Sequence, residues 1–216
     1  MQRIVIRLWV PLAIVGAGFA LSLLLYDRLP ERFATHWDAS GTADGWSSRW
    51  RGAFLLPCIM LAGATLLLVL PRINQRRANY DKFGSVYALI VNSVLGVHLV
   101  LHTAILAVAL GRHVPIDTVA IISVGVLLIV IGSVLSRRRS SFFVGTRTPW
   151  TLSSDTIWTR THQLGGYALI ASGLVVILSA ALHGRARLLL MLTAMTVGAL
   201  VPVVYSYLVW SRKGRT

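Results

Sequence analysis

Six apolar runs separated by short polar segments set the first limit on this chain: approximately Leu8–Tyr26, Ala53–Leu70, Val86–Leu110, Thr118–Leu135, Tyr167–Leu182 and Leu188–Trp210. A helix rises about 1.5 Å per residue, so about 20 apolar residues cross the hydrocarbon of a bilayer. The first, third and sixth runs are long enough outright. The second, fourth and fifth need their polar shoulders, or a tilted or locally thinner arrangement. The runs are continuously apolar and do not alternate with period two, which favours helices over a barrel. A soluble fold would have to bury all six with little charge to cover them. Hydrophobic residues make up 56% of the 216 and charged residues 13%, against roughly 25% charged in a typical soluble domain. The sequence therefore reads as an all-α, polytopic integral membrane bundle of six transmembrane helices.

The formal charge of +14 invites a nucleic-acid reading, but such binders spread basic residues over a polar surface. Here they lie between apolar blocks, as in membrane proteins, so no direct nucleic-acid contact is expected. With the N-terminus inside, the inner side holds Arg3, Arg7, Arg72, Arg76, Arg77, Lys82, Arg137, Arg138, Arg139, Arg147, Arg160, Arg212, Lys213 and Arg215. The outer side holds Arg28, Arg32, Arg49, Arg51, Arg112, Arg185 and Arg187. This two-to-one bias predicts both termini in the cytoplasm. Arg3 and Arg7 before the first run also fit a signal peptide, yet Leu21–Leu25 continues the run without a polar cleavage region, so a retained helix is expected. The organisation splits into 1–111, three helices with a folded outer loop at 27–52, and 112–216, three helices with a cytoplasmic elbow at 136–166.

Tyr26, Trp50, Tyr87 and Trp210 fall near predicted helix ends, where amphipathic rings favour the interface. Gly16, Gly18, Gly63, Gly96, Gly125, Gly132, Gly173 and Gly198 lie inside runs, where small residues permit close helix contact. Pro57 and Pro202 should bend their helices, while Pro11 is near enough to its helix start to be tolerated. Cys58 is the single cysteine, which leaves no disulfide framework and no thiolate metal site. It is expected to be a small buried hydrophobe.

No acidic residue falls inside a run, which lowers the case for a pump or transporter. The ionisable exceptions are His98 and His102, four apart and so on one helical face. They resemble half of a zinc-protease helix, but Leu99 occupies the place of the required glutamate. Three readings stay open: neutral imidazoles satisfied within the bundle, a proton- or ligand-handling pair, and a metal pair. Asn92, Tyr205 and Tyr207 are further polar points to be satisfied internally.

Two polar segments stand out. In the first outer loop, Asp38–Gly41 is turn-rich and Asp44-Gly45 is a second turn signal. Phe33, Trp37, Trp46 and Trp50 need cover, so a compact loop is expected. His36, Asp38 and Asp44 lack a metal-site spacing, and Ser40 and Thr42 near His36 form no recognisable triad. The segment reads as a structural cap or a ligand contact. The inner segment opens with Arg137-Arg138-Arg139, which a positive-inside anchor explains. Ser153 or Ser154 suits the cap of a short helix from Asp155, placing Trp158 and His162 on one face. A reentrant or surface-lying helical elbow is expected, held against the membrane ends of the helices or serving as a protein-docking surface.

These segments carry a family likeness. Gly145, Arg147, Pro149, Trp150 and Thr151, followed by Trp158 and His162, resemble the signature of the SdpI family of bacterial membrane proteins. Pro30, His36, Gly41, Asp44 and Gly45, within a loop that also holds Trp37 and Asp38, resemble the uncharacterised N-terminal domain often joined to it. The likeness covers nearly the whole chain in the expected order. It implies a multi-pass protein of the bacterial cytoplasmic membrane. The family's best-known member protects the producing cell from a secreted toxic peptide and holds a small transcriptional repressor at the membrane. The likeness assigns no catalytic residue and no cofactor. This chain departs from the family in its arginine content and in the two tryptophans, Trp37 and Trp46, of the Leu29–Trp46 stretch of its outer loop.

The leading expectation is a nonenzymatic membrane immunity or signal-receptor protein. Its partners would be the lipid bilayer, a secreted antimicrobial peptide outside and a cytoplasmic regulatory protein inside. The alternatives are a small-solute or proton-coupled transporter using His98 and His102, and a structural membrane protein. A membrane enzyme is disfavoured because no nucleophile–base pair or metal motif assembles.

Overall fold

The computed structural model describes residues 9–38, 40–73, 80–136 and 148–213. Its elements are α1 (Trp9–Leu25), a 3-10 turn (Tyr26–Arg28), β1 (Arg32–Trp37), β2 (Ala43–Ser48), α2 (Arg49–Ile73) and α3 (Tyr80–Ala109). After these come α4 (Ile116–Ser136), α5 (Pro149–Leu152), α6 (Asp155–Ser179) and α7 (Gly184–Lys213). Every α-helix but the four-residue α5 is long and apolar enough to cross a membrane, which makes six candidate spans among the described residues. The second and fifth reach that length through polar shoulders: α2 begins at Arg49 and α6 at Asp155. The chain divides into two compact units, Met1–Ser123 and Val124–Thr216, the boundary falling within α4.

In the first unit, Val15, Met60, Ala64, Val91 and Leu95 join α1, α2 and α3 in one buried cluster. Leu29, Phe33, Ala53 and Leu106 form a second, which seats the β1–β2 hairpin on the helices. Burying a Phe side chain contributes about 2 kcal/mol, and the ring packs so tightly on Gly52 that a Cβ there would overlap it. The outer loop is thus a two-stranded antiparallel ribbon, an addition to the helical architecture. Its turn forms where Asp38–Gly41 predicts it. The second turn signal is corrected: Asp44-Gly45 lies inside β2, with Gly45 paired to His36. A Cβ on Gly45 would come within 2.8 Å of His36 Cβ, so this glycine serves close strand approach and not a reversal. Cover for the aromatic residues is uneven. Phe33 is buried and Trp37 partly so, whereas Trp46 is 51% and Trp50 62% exposed.

In the second unit, two pairs of glycines seven residues apart meet across antiparallel helices. Gly125 opposes Gly173, and Gly132 opposes Gly166. A Cβ on Gly173 would be 2.5 Å from Gly125 O, and one on Gly132 2.6 Å from Gly166 O. Between spans in lipid, van der Waals contact and hydrogen bonds replace the hydrophobic effect as the cohesive force. Gly166, which the sequence reading passed over, is therefore as constrained as its partner. By contrast, a Cβ on Gly16, Gly63 or Gly96 would have nothing within 4 Å, which corrects the expectation that they mediate helix contact. Cys58 is corrected too: it is exposed, facing away from the unit's core while its neighbour Pro57 and Met60 are buried.

The elbow also differs from expectation. Asp155–His162 is not a separate surface-lying helix but the first turns of the continuous α6. Gly165 and Gly166 do not break α6, because both are occupied by close neighbours: Pro202 and Leu135 against the first, Gly132 and Ser136 against the second. Among the described residues of the elbow, the separate helical piece is α5. Its cap is Thr148: Thr148 Oγ1 accepts from Thr151 N, Thr151 Oγ1 accepts from Thr148 N, and Pro149 takes the first helical position, where its missing N–H costs nothing. Ser154 holds the cap position of α6 without a side-chain bond.

Candidate functional site

Three polar constellations stand out among the described residues. The first is the hairpin. Asp38 Oδ1 accepts from Ser40 N and Thr42 N at 2.9 Å and from Ser40 Oγ at 2.6 Å, which closes the turn over Gly41 at φ +84°. These donors, the Ser40 hydroxyl foremost, hold the Asp38 carboxyl below its ordinary value, because each favours the ionised form. Gly41 approaches the Asp117 carboxylate at the start of α4, where a Cβ would lie 3.1 Å away. On the exposed face, His36 Nδ1 meets Asp44 Oδ1 at 2.5 Å. Pro30 is exposed at the entry to β1. The hairpin brings His36 and Asp44 together, while Asp38 turns instead to the backbone of its own loop. Among the described residues no three metal-ligating side chains gather.

The second constellation is buried between α1, α2 and α3. Ser22 Oγ lies 2.5 Å from Ala53 O and 2.9 Å from His102 Nε2. His98, one turn earlier, is partly buried, and its Nδ1–H donates to Val94 O at 2.8 Å. The two histidines share a helix but engage different partners. Hydroxyls within apolar runs were the missed signal: Ser22 lies in one and joins three helices.

The third is the elbow of the second unit. Trp150 Nε1 donates to Ser206 Oγ at 2.6 Å, and its ring packs on Tyr207 and Trp210 at centroid distances of 5.4 and 6.2 Å. Thr151 is buried. His162 stacks on Trp158 with centroids 4.1 Å apart. Its Nδ1–H donates to Trp158 O at 2.8 Å, since a carbonyl only accepts. That leaves His162 Nε2 a bare acceptor, buried and without a partner among the described residues, as is Thr161 Oγ1. Gly145 and Arg147 lie outside the described residues. Ser206 is again a hydroxyl within an apolar run that the sequence reading did not single out.

The two polar segments also carry the similarity to known proteins. Residues 137–206, which include α5 with Trp150 and α6 with the Trp158–His162 stack, match the SdpI/YfhL protein family. The chain carries an SdpI/YfhL region. Residues 13–61, which include the hairpin, match a domain of unknown function, DUF1648. Beyond the SdpI/YfhL region, likeness extends over most of the chain to the immunity protein SdpI of Bacillus subtilis (strain 168). The two are 25% identical over 198 residues, covering 92% of this chain and 93% of that protein. No solved structure gave a significant match.

Proposed function

We propose that this chain is a nonenzymatic immunity protein of the bacterial cytoplasmic membrane. In this reading the hairpin meets a secreted antimicrobial peptide outside, and the elbow offers a docking surface to a cytoplasmic regulatory protein. The observation that carries the reading is the likeness to an immunity protein along 92% of the chain, which takes in both polar segments and not the apolar helices alone.

The chemistry of the hairpin agrees with it. Trp46 is exposed two positions from Asp44 on β2, and Trp50 is exposed in the first turn of α2; exposed amphipathic rings with an acidic residue on the same ribbon suit a cationic, amphipathic peptide at a membrane surface. The excess of Lys and Arg assigned to the inner side supports a cytoplasmic elbow and cytoplasmic termini. The test has two parts. Reporter fusions at Gly45 and at the C-terminus should report opposite sides of the membrane. Deleting the gene should sensitise the producing cell to its own secreted peptides, and expression in a sensitive host should restore survival. Unchanged sensitivity across those peptides, with the protein normally expressed, would remove the immunity reading.

A further inference from the structure

The Ser22 hydroxyl joins three helices. Its Oγ has two carbonyl acceptors, Ala53 O on α2 at 2.5 Å and Gly18 O one turn back on α1 at 3.2 Å. His102 Nε2 on α3 is 2.9 Å away. Ser22, Ala53 and His102 are all fully buried. Two oxygens 2.5 Å apart repel unless a hydrogen lies between them, so the hydroxyl donates to Ala53. His102 must then bring the hydrogen for its own contact. The pattern assigns it the Nε2–H tautomer, and its Nδ1 has no partner among the described residues.

This node lies directly beneath the hairpin. Ala53 follows Gly52, on which the Phe33 ring packs, and Ala53, Phe33, Leu29 and Leu106 share one buried cluster. Leu106 stands one turn beyond His102 on α3. The start of α2 is therefore held on one side by β1 of the hairpin and on the other by the Ser22 hydroxyl. Turning that hydroxyl to Gly18 O would keep Ser22 satisfied within its own helix but would leave no hydrogen between Oγ and Ala53 O, so the α2 carbonyl would have to draw back from its 2.5 Å contact. Both acceptors are within reach of one hydroxyl rotor.

We propose that Ser22 is a two-position latch that sets how firmly the hairpin is held on the helices. It is closed on Ala53 O and open on Gly18 O. His102 is the positioning residue that keeps Oγ aimed at α2. The inference rests on this geometry and stands or falls separately from the peptide reading.

Hydrogen–deuterium exchange of the full chain in lipid nanodiscs tests it, comparing hairpin amides (32–48) with those of α2, α3, α6 and α7. Ser22→Ala should speed hairpin exchange about tenfold, the usual scale for losing one buried hydrogen bond, while the helices keep their protection. His102→Leu should do the same. His102→Gln, whose side-chain N–H can occupy the place of Nε2–H, should stay within about twofold of the parent protein. Unchanged hairpin exchange in Ser22→Ala would overturn the latch. So would equal acceleration in every region, or His102→Gln exchanging as fast as His102→Leu.

Discussion

Trp150 and Ser206 tie the elbow to the last helix across 56 residues of chain: the indole N–H donates to the serine hydroxyl at 2.6 Å. Ser206 passes its own hydrogen to Val203 O, also at 2.6 Å. The relay starts in the short α5 and ends in α7 just past Pro202. It lets a four-residue helix, too short to persist by itself, keep one position.

Trp150→Phe removes the donor and keeps most of the ring packing on Tyr207 and Trp210. Unfolding by denaturing detergent from mixed micelles should show a loss of about 1–2 kcal/mol. Ser206→Ala should cost a similar amount. The double variant should lose clearly less than the sum, because both changes remove the same bond. Strict additivity would mean that the bond contributes nothing.

The glycine pairs of the second unit should tolerate no side chain. Gly173→Ala, whose Cβ would meet backbone at Gly125 O, should lower stability by at least about 2 kcal/mol, since rigid backbone cannot yield as a flexible side chain does. Gly16→Ala, with open space around it, should stay within about 0.5 kcal/mol of the parent. Thermal melting of the two purified variants in one detergent distinguishes them.

Gly41 and Gly111 both hold positive φ, +84° and +79°, and only the first has a close neighbour. Alanine at either position carries the left-handed strain of about 1–2 kcal/mol. Gly41→Ala must also displace the Asp117 carboxylate and should therefore cost more. Tryptophan fluorescence from the hairpin should change for Gly41→Ala and stay unchanged for Gly111→Ala.

Asp38 has a carboxyl pKa held below its ordinary value by the Ser40 and Thr42 donors. A depressed folded-state pKa means that the contribution is complete above the unfolded-state value, about 3.9. It is lost as pH falls through the lower folded value. Local opening of the hairpin turn should therefore be flat from neutral pH down to about 5 and rise only in the acid range. Asp38→Asn should weaken the turn at neutral pH and remove the acid step. Amide exchange at Ser40 and Thr42 as a function of pH reads both effects.

The six helices and the turn at Asp38–Gly41 were legible because each rests on local chemistry. A long apolar run must hide its backbone polar groups within itself, and an aspartate followed by Ser40, Gly41 and Thr42 closes a loop with its own neighbours. The elbow was less legible. Asp155 with two preceding serines carries the signs of a helix start, and the helix does start there. Whether it ends before the span or runs into it depends on what surrounds Gly165 and Gly166, and that is supplied by residues of other helices. Ser22 and Ser206 were invisible for a related reason. A hydroxyl in an apolar run can always bond to its own helix, so its presence says nothing about a second helix.

The sequence by itself determined the membrane class, the six spans and the placing of polar chemistry in two segments, since these follow from length, hydropathy and charge read along the chain. Tertiary structure alone decided the rest. It paired His36 with Asp44, set His102 on Ser22, joined Trp150 to Ser206 and laid Gly125 and Gly132 against Gly173 and Gly166. It also left Cys58 and Gly16 facing outward. The physical reason is common to all of these: in lipid every face of a span is apolar, so the pattern along a helix does not mark which face meets a neighbour. Close backbone approach and a few directional hydrogen bonds make that choice.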